Sequence, residues 1–256
     1  MSGKIAWITG GGSGIGRALA EKLGAEGWRV VISGRRSELL AKAADEIQSK
    51  KIPGEIWPLA GDASATGFAP AAAQKINERW GEIDLLVNNA GVNPNKSFLQ
   101  TSPEEYLENF QINCMSAIRC TQAVLPAMRK KGSGAIVNIS SVLGKWAAAS
   151  SPAYSVSKYA VAGFNDVLRQ ELTDSGIHVL GVYPGFIRTA MTAPFVKPGS
   201  MREKVGKSPD ALARAILNGL RRKKIEVNFP AYVPVLLGLY RIFPRGMEKL
   251  RKVMGH

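Results

Sequence analysis

Short apolar runs alternate with amphipathic segments along most of this chain. The runs occupy residues 4–9, 30–33, 55–59, 85–87, 135–139 and 179–182. Between them, apolar positions keep the spacing of about 3.6 residues that is typical of helices with one buried face. This alternation predicts an α/β domain that is doubly wound, with a parallel sheet and helices on both faces.

A glycine-rich turn follows the first apolar run and precedes an amphipathic segment around Leu19 and Leu23. Its residues are Gly10, Gly11, Gly12, Ser13, Gly14, Ile15 and Gly16. A strand, a glycine loop and a helix in this order can place a helix N-terminus against a phosphate group. The spacing matches neither the G-x-G-x-x-G fingerprint nor the Walker P-loop, so the turn alone is equally consistent with a tight connection.

Two arginines, Arg35 and Arg36, follow the second apolar run. In dinucleotide-binding α/β folds this strand end meets the adenosine ribose, where an acidic residue suits a 2′-hydroxyl and an arginine suits a 2′-phosphate. No acid stands here, so the sequence favours a 2′-phosphate, and the alternative is an ordinary basic loop. Ser37 is expected to cap a helix that runs towards Gln48.

Polar residues end the other predicted strands. Asp62 follows the third strand, Asn88 ends the fourth, and Ser141 follows the fifth. Parallel sheets bind ligands at the carboxyl ends of their strands. We therefore expect one crevice to hold these residues together with the glycine loop and Arg35.

Tyr154 and Lys158 stand four residues apart in a segment that is expected to begin a helix near Pro152. Residues at this spacing share a helix face, so a phenol and a cation become neighbours. A cation about 4 Å away is expected to lower a tyrosine pKa by roughly two to three units, into the range that general acid–base catalysis needs. Such pairs also arise by chance, and the alternative is a surface tyrosine beside a solvated lysine.

Composition limits the classes of function. The 256 residues, 45% of them hydrophobic, favour a single domain. Cys114 and Cys120 lie in one predicted helix, from about residue 113 to 128, without metal-ligand spacing or a preceding secretory signal, so reduced cytoplasmic thiols and no metal site are expected. A Ser-His-Asp hydrolase is excluded, because the only histidines are His178 at a strand start and His256 at the chain end.

Taken together, these residues resemble the short-chain dehydrogenase/reductase family. The matching motifs, in family order, are Thr9-Gly10-x-x-x-Gly14-x-Gly16, Asp62, Asn88-Asn89-Ala90-Gly91, Asn113, Ser141, Tyr154-x-x-x-Lys158, and Pro184-Gly185 with Thr189. The resemblance covers about residues 3–229 and implies a Rossmann fold, a nicotinamide cofactor and an oxidoreductase activity. It also implies a homodimer or a homotetramer.

The resemblance implies a role for each motif. Tyr154 is expected to be the general acid/base, Lys158 the cation that lowers its pKa and binds the ribose, Ser141 the hydroxyl that polarises the carbonyl, and Asn113 part of a water-linked proton relay. The cofactor is expected to contact Gly10, Gly12, Ser13, Gly14, Ile15, Gly16, Arg35, Arg36, Asp62, Ala63, Asn89, Ala90, Gly91, Tyr154, Lys158, Pro184, Gly185, Ile187 and Thr189. Gly34 stands where members that prefer NAD(H) carry an aspartate, so NADP(H) is favoured over NAD(H).

Substrate-lining positions are expected in residues 92–98, 142–151 and 186–196. These segments hold few charges and include Leu143, Trp146, Phe186, Met191 and Phe195. An apolar ketone or secondary alcohol is therefore the favoured substrate. Residues 193–208, where a lid over the substrate would lie, form a segment that is short for this purpose. The remaining alternative is a non-catalytic member of the fold that senses dinucleotides or acts as a scaffold.

Positive charge is concentrated near the C-terminus. The net charge is +14, and residues 201–256 carry 13 Lys or Arg against 4 Asp or Glu. We expect the family domain to occupy residues 1–229 and a basic, apolar extension to occupy residues 230–256, with an apolar stretch too short to span a bilayer. Three interpretations stay open: an arm packed on the protein or a partner subunit, a peripheral contact with an anionic membrane, and a nucleic-acid contact, which no motif accompanies.

Overall fold

A computed structural model describes residues 3–196 and 198–253 of the chain and arranges them around one seven-stranded parallel sheet. Its strands are β1 Ile5–Thr9, β2 Arg29–Gly34, β3 Glu55–Ala60, β4 Leu85–Asn88, β5 Gly134–Ile139, β6 Ile177–Pro184 and β7 Glu226–Phe229. Their spatial order is β3-β2-β1-β4-β5-β6-β7, so the chain reverses its direction of travel across the sheet between β3 and β4. The point of reversal, between β1 and β4, is where such sheets open a ligand crevice.

The helices of the described residues are α1 Gly14–Ala25, α2 Ser37–Gln48, α3 Phe68–Trp80, α4 Pro103–Phe110, α5 Ser116–Lys131, α6 Pro152–Glu171, α7 Met201–Val205, α8 Pro209–Arg221, α9 Tyr232–Ile242 and α10 Pro244–Val253. Apolar residues of α1, α2 and α8 share one core with the sheet. Residues of α3, α5 and α6 share a second core on its other face. The predicted doubly wound α/β fold is confirmed.

Side-chain alternation along β1 shows why both faces are covered. Ala6 and Ile8 enter the core beneath α1, whereas Ile5 and Trp7 enter the core beneath α3. Successive strand residues point to opposite faces, so a strand that is apolar throughout needs a helix layer on each side. Pro58 lies in β3, which is an edge strand. Proline has no backbone N–H to donate, and an edge strand tolerates this loss because only one of its sides is paired.

Two local expectations are wrong in detail. Ser37 is the first residue of α2 and does not cap it, because Arg36 takes the extended N-cap position and makes no side-chain cap. The helix expected from about Asn113 begins earlier, since a π-helical turn, Gln111–Met115, joins α4 to α5 without a break. Asn113 lies inside this wider turn, which π-helical segments often provide at functional sites.

A row of three buried asparagines crosses the middle of the protein. The Asn88 Nδ2 donates to Asn138 Oδ1 at 2.8 Å, and the Asn138 Nδ2 donates to Asn165 Oδ1 at 3.1 Å. These residues belong to β4, β5 and α6 respectively. Asn88 was expected in the ligand crevice, but this hydrogen-bonded row holds its side chain inside the protein instead.

Helices α9 and α10 pack on the rest of the domain. Val233 is fully buried, and the ring of Tyr240 stacks on Trp146 with 5.1 Å between centroids and 25° between planes. Among the described residues, the structure contains no helix with the length and apolar character that crossing a membrane requires.

Candidate active site

A cleft of about 760 Å³ opens at the carboxyl ends of the strands. Nearly all of the sequence-predicted site residues line it: Gly10, Gly12, Ser13, Gly14, Ile15, Arg35, Arg36, Asp62, Ala63, Asn89, Ala90, Gly91, Ser141, Tyr154, Lys158, Pro184, Gly185, Ile187 and Thr189. Gly16 and Asn113 lie behind the wall of the cleft. The crevice predicted from strand ends is therefore present, at the reversal point between β1 and β4.

The glycine loop has the shape of an anion cradle. Gly10 and Gly14 have φ angles of +65° and +54°, in the left-handed region that glycine tolerates best. Ser13, the N-cap of α1, makes no side-chain cap, so the first N–H groups of the helix are not taken up by it. A dinucleotide pyrophosphate fits these donors and the positive end of the helix dipole.

Asn89 ties the glycine loop to the end of β4. Its Nδ2 donates to the carbonyl oxygens of Thr9 at 2.9 Å and Gly10 at 3.1 Å. A Cβ at Gly16 would lie 2.6 Å from the same Nδ2, so only glycine fits beneath the loop. Gly16 therefore supports the cradle from behind, whereas Gly10 and Gly14 form its surface.

The far end of the cleft is basic. Arg35 and Arg36 both line it, and neither pairs with an acid of the described residues. The Asp62 Oδ1 accepts hydrogen bonds from the Ser64 backbone N–H at 2.9 Å and its hydroxyl at 2.7 Å, which holds the carboxylate in one orientation. Two free guanidinium groups here suit a phosphate ester.

Ser141, Tyr154 and Lys158 meet near the middle of the cleft. The Leu143 backbone N–H donates to Ser141 Oγ at 3.1 Å, which leaves the serine proton free to point at the Tyr154 oxygen. The Lys158 Nζ donates to the Ile139 carbonyl at 2.8 Å and lies 5.6 Å from the centre of the Tyr154 ring. The phenol therefore has the serine hydroxyl as a hydrogen-bond partner and the lysine cation beside its ring.

The two neighbouring serines have different surroundings. Ser140 Oγ donates to the backbone carbonyl of Lys158 at 2.8 Å, inside the protein. Ser141 instead directs its hydroxyl towards Tyr154. Ser141, the serine that the family resemblance implies, is therefore the one whose hydroxyl faces the phenol.

The expected lowering of the Tyr154 pKa is wrong for this structure. Burial raises the pKa of Tyr154 to about 12, because the phenolate would lose its hydration, and the hydrogen bond from Ser141 offsets only part of this effect. Burial also lowers the pKa of Lys158 to about 8. Burial therefore disfavours both the phenolate form of Tyr154 and the ammonium form of Lys158, and the attraction expected between these two charges does not lower the tyrosine pKa.

Asn113 connects three parts of the site wall. Its Nδ2 donates to the Val92 carbonyl at 3.0 Å and to Ser157 Oγ at 2.9 Å, and its Oδ1 accepts from the Val92 N–H at 2.7 Å. A Cβ at Gly91 would lie 3.1 Å from this Oδ1 and 3.5 Å from the Lys158 Nζ. Both amide protons are used, so the side chain has no donor left for a relay water.

Sequence reasoning missed part of the lining. The additional residues are Ser33, Gly34, Leu39, Leu40, Gly61, Ser64, Ile112, Ile139 and Ser140. Leu40 had a detectable signal, since it is the first inward apolar position of α2. Ile112 had none, because only the π-helical turn brings it to the cleft.

The expected substrate wall is present only in part. Val92, Asn93, Met191 and Pro194 line the cleft. Leu143, Trp146, Phe186 and Phe195 are not among the residues lining it; Trp146 packs against α9 instead. Residues 193–208, which were expected to be short for a lid over the substrate, contain a 3₁₀ turn, Ala193–Phe195, and the five-residue helix α7.

Comparison with known proteins agrees with this architecture. The model of the short chain dehydrogenase family matches residues 4–198. The bovine (Bos taurus) protein dehydrogenase/reductase SDR family member 7B is 34% identical over 251 residues, which cover 94% of this chain and 77% of the bovine one.

Solved structures of the same fold contain either nicotinamide cofactor. Actinorhodin polyketide ketoreductase with NADPH has a TM-score of 0.82 and 29% identity, over 90% of this chain and 97% of that one. A short-chain dehydrogenase/reductase from Burkholderia phymatum in complex with NAD has a TM-score of 0.84 and 25% identity, over 94% of each chain. The strand order, the cleft, the family match and these likenesses lead to one conclusion: the chain belongs to the short-chain dehydrogenase/reductase family of oxidoreductases.

Proposed function

We propose that the protein is an NADP(H)-dependent oxidoreductase that interconverts a mainly apolar ketone and its secondary alcohol. The observation that carries the proposal is the meeting of Ser141, Tyr154 and Lys158 in the cleft that the glycine loop also lines. NADP(H) supplies the hydride chemistry when it is bound. The protein must then hold the substrate oxygen and move one proton, and these three side chains are suited to both tasks.

Tyr154 is proposed as the proton donor to the substrate oxygen. Since burial raises its pKa to about 12, the phenol keeps its proton at neutral pH and is ready to donate it during ketone reduction. Ser141 has a single proton, which points at the Tyr154 oxygen in this structure, and it is proposed to turn this proton to the substrate oxygen when a ketone binds, while its Oγ keeps the hydrogen bond from the Leu143 N–H.

Lys158 is proposed to hold the cofactor ribose and to stabilise negative charge that develops on the Tyr154 oxygen. Its Nζ spends one proton on the Ile139 carbonyl and keeps two for these tasks. Asn113 is proposed to act on the relay through its backbone or through the remaining lone pair of Oδ1, because its amide protons are committed.

The preference for NADP(H) over NAD(H) is supported by charge at the ribose end. Arg35 and Arg36 line the cleft without an acidic partner of the described residues, and Gly34 places no carboxylate at the end of β2, where it would repel a 2′-phosphate. An arginine can bind a phosphate through two parallel hydrogen bonds, and each 1.4 kcal/mol of such contact changes affinity about tenfold.

The apolar character of the substrate is supported by Val92, Ile112, Met191 and Pro194, which line the cleft without a charged group among them. The similar protein crystallised with NADPH is itself named a ketoreductase. A screen of NADPH and NADH oxidation at 340 nm with steroid ketones, acyl ketones, sugars and aromatic aldehydes tests the proposal. Turnover of an apolar ketone with NADPH is expected.

The non-catalytic alternative predicts a different result in the same assay. A dinucleotide sensor would bind NADPH with a measurable affinity yet oxidise it with no carbonyl compound at any pH between 6 and 9. Binding without turnover across the whole screen would therefore overturn the proposed activity and favour sensing or scaffolding.

We also propose self-association into a dimer or tetramer. Support comes from α6, where Val156, Tyr159 and Val167 are exposed apolar residues on one helix that also carries the active-site pair. Sedimentation equilibrium of the wild-type protein and of Val156→Ser/Val167→Ser tests this proposal. A wild-type protein that sediments as a monomer at all concentrations would contradict it.

A further inference from the structure

The outward side of α9 carries a bare apolar stripe. Val235, Leu239 and Ile242 are four and three residues apart, so they lie on one helix face, and Phe243 follows at the helix end. Their exposed fractions are 62%, 43%, 68% and 63%. We refer to these four residues as the α9 stripe. Large apolar side chains grouped in this way mark a surface that contacts another molecule.

The opposite side of α9 packs against the domain. Val233 is fully buried beside Gly185, and Tyr240 stacks on Trp146. A helix that is apolar on both sides is ordinarily enclosed on both sides. The α9 stripe is thus surplus to what the packing of the arm on its own domain requires.

Cations accompany the α9 stripe along the chain. Arg241 lies between Leu239 and Ile242 on α9, and Arg245 and Lys249 are four residues apart on the following helix, α10, where they share one exposed face. None of the three forms an ion pair with an acid of the described residues. In the sequence, residues 230–256 contain five Lys or Arg and one acid, Glu248, so this part of the chain carries a net positive charge.

We propose that the α9 stripe and its cations form a docking site for the surface of an anionic phospholipid bilayer. Apolar side chains would enter the acyl boundary while arginine and lysine meet the lipid phosphates. A second copy of the chain is a poor occupant, because the same face would bring two sets of cations together. A nucleic acid would use the cations and leave the four apolar side chains exposed to water.

The position of the docking site gives it a use in catalysis. Val233 and Tyr232 of α9 lie against Gly185, which lines the cleft. A protein docked through α9 would hold its cleft close to the lipid surface, where an apolar ketone dissolves. This use rests on the proposed function, whereas the docking itself does not.

Removal of the apolar groups is the first test. Ile242→Ser/Phe243→Ser changes two exposed residues, and Leu99→Ser/Leu107→Ser changes two exposed leucines far from α9 in sequence. Co-sedimentation with vesicles of phosphatidylcholine and phosphatidylglycerol at 7:3 should fall at least tenfold for the first variant and stay at the wild-type level for the second. Equal binding by both variants and the wild-type protein would overturn the proposal.

Removal of charge is the second test and has a matched control. Arg241→Gln/Arg245→Gln/Lys249→Gln and Arg222→Gln/Lys223→Gln/Lys224→Gln each lose three positive charges, but the second set follows α8 and belongs to neither α9 nor α10. With each cation contributing about fivefold near an anionic surface, the first variant should bind on the order of 100-fold more weakly. Similar weakening in both variants would show general charge attraction and overturn a specific site.

The wild-type protein provides the remaining outcomes. Its binding should require phosphatidylglycerol and fade between low salt and about 0.5 M salt. Wild-type protein that binds no vesicles, or that binds pure phosphatidylcholine equally well, overturns the docking site. NADPH oxidation with a water-soluble ketone, measured without lipid, separates the two proposals: activity without lipid binding contradicts only the docking site, and lipid binding without activity contradicts only the proposed function.

Discussion

The hydroxyl of Ser140 is hydrogen-bonded to the backbone carbonyl of Lys158 at 2.8 Å, whereas the hydroxyl of its neighbour Ser141 faces Tyr154. The two serines should therefore fail in different ways. Ser141→Ala should lower kcat at least tenfold with little change in stability, because it removes a group proposed to contact the substrate oxygen. Ser140→Ala should cost about 1 kcal/mol of unfolding free energy, since it removes a buried hydrogen bond.

Urea unfolding and initial-rate kinetics on both variants check this difference. A larger loss of kcat in Ser140→Ala than in Ser141→Ala would reverse the assignment of the two serines.

Tyr154→Phe should lower kcat by at least two orders of magnitude and leave the Kd of NADPH within about threefold of the wild-type value. The substitution removes the proton donor and keeps the ring that lines the cleft. Stopped-flow rates and fluorescence titration with NADPH measure the two quantities. Tyr159→Phe, which removes a phenol from the next turn of the same helix, is the control; residual activity of Tyr154→Phe within tenfold of this control would reject Tyr154 as the acid.

Gly34→Asp should shift the cofactor preference from NADPH towards NADH. A Cβ at Gly34 would approach Leu40 no closer than 3.8 Å, so the larger residue fits, and its carboxylate would face the ribose beside Arg35. Repulsion of the 2′-phosphate should weaken NADPH at least tenfold. Gly34→Ala adds the Cβ without the charge and should leave the ratio of the two Kd values unchanged; the same ratio in Gly34→Asp would contradict the placement of the 2′-phosphate.

Arg35→Ala should erode the NADPH preference without weakening NADH by more than about twofold. The guanidinium has no acidic partner of the described residues to release, so its loss should act through the ligand alone. Isothermal titration with both cofactors measures the effect. If Arg35→Ala is silent and Arg36→Ala is not, the phosphate contact belongs to Arg36.

Lys158→Met should give a protein that is inactive yet at least as stable as the wild type at pH 7. Burial lowers the Lys158 pKa from 10.5 to about 8. Below pH 8 the folded protein therefore holds a buried ammonium at a cost of about 3 kcal/mol relative to the unfolded chain, and this cost disappears as the pH rises from about 8 to 10.5.

The pH dependence of this variant supplies the check. The stability advantage of Lys158→Met over the wild type should shrink by about 2 kcal/mol between pH 7 and 9.5, measured by urea unfolding at both values. An advantage that does not change with pH would show that the lysine pKa is not lowered in the folded protein.

The fold and most of the cleft could be predicted because the relevant signals are local. Apolar runs mark strands that are buried on both faces, and a parallel sheet brings residues such as Asp62 and Ser141 to one edge whatever the details of packing. The pKa of Tyr154 could not be predicted in this way. Spacing makes Lys158 its neighbour, but only the folded protein shows that both groups lose their water.

Asn88 and Arg36 illustrate a second limit. A polar residue at a strand end either faces the ligand or turns inward, and the partners that draw Asn88 inward, Asn138 and Thr121, are 50 and 33 residues away in sequence. Helix α2 begins one residue earlier than predicted, at Ser37. Arg36, a residue type that caps helices poorly, takes the N-cap position because it is the last extended residue between β2 and α2.

The row of Asn88, Asn138 and Asn165 fixes the alignment of β5 with α6, and these two elements position the catalytic groups. A shift of β5 by one residue would turn Asn138 to the opposite face of the sheet. The side chains of Asn88 and Asn165 would then lose their hydrogen bonds to Asn138 inside the protein, which is unfavourable. Because β5 leads directly to Ser141, and because Asn165 belongs to the helix that carries Tyr154 and Lys158, misaligned packings of these elements would break the row. The buried hydrogen bonds thus disfavour folded arrangements in which Ser141, Tyr154 and Lys158 are misaligned, and they do so in the absence of substrate.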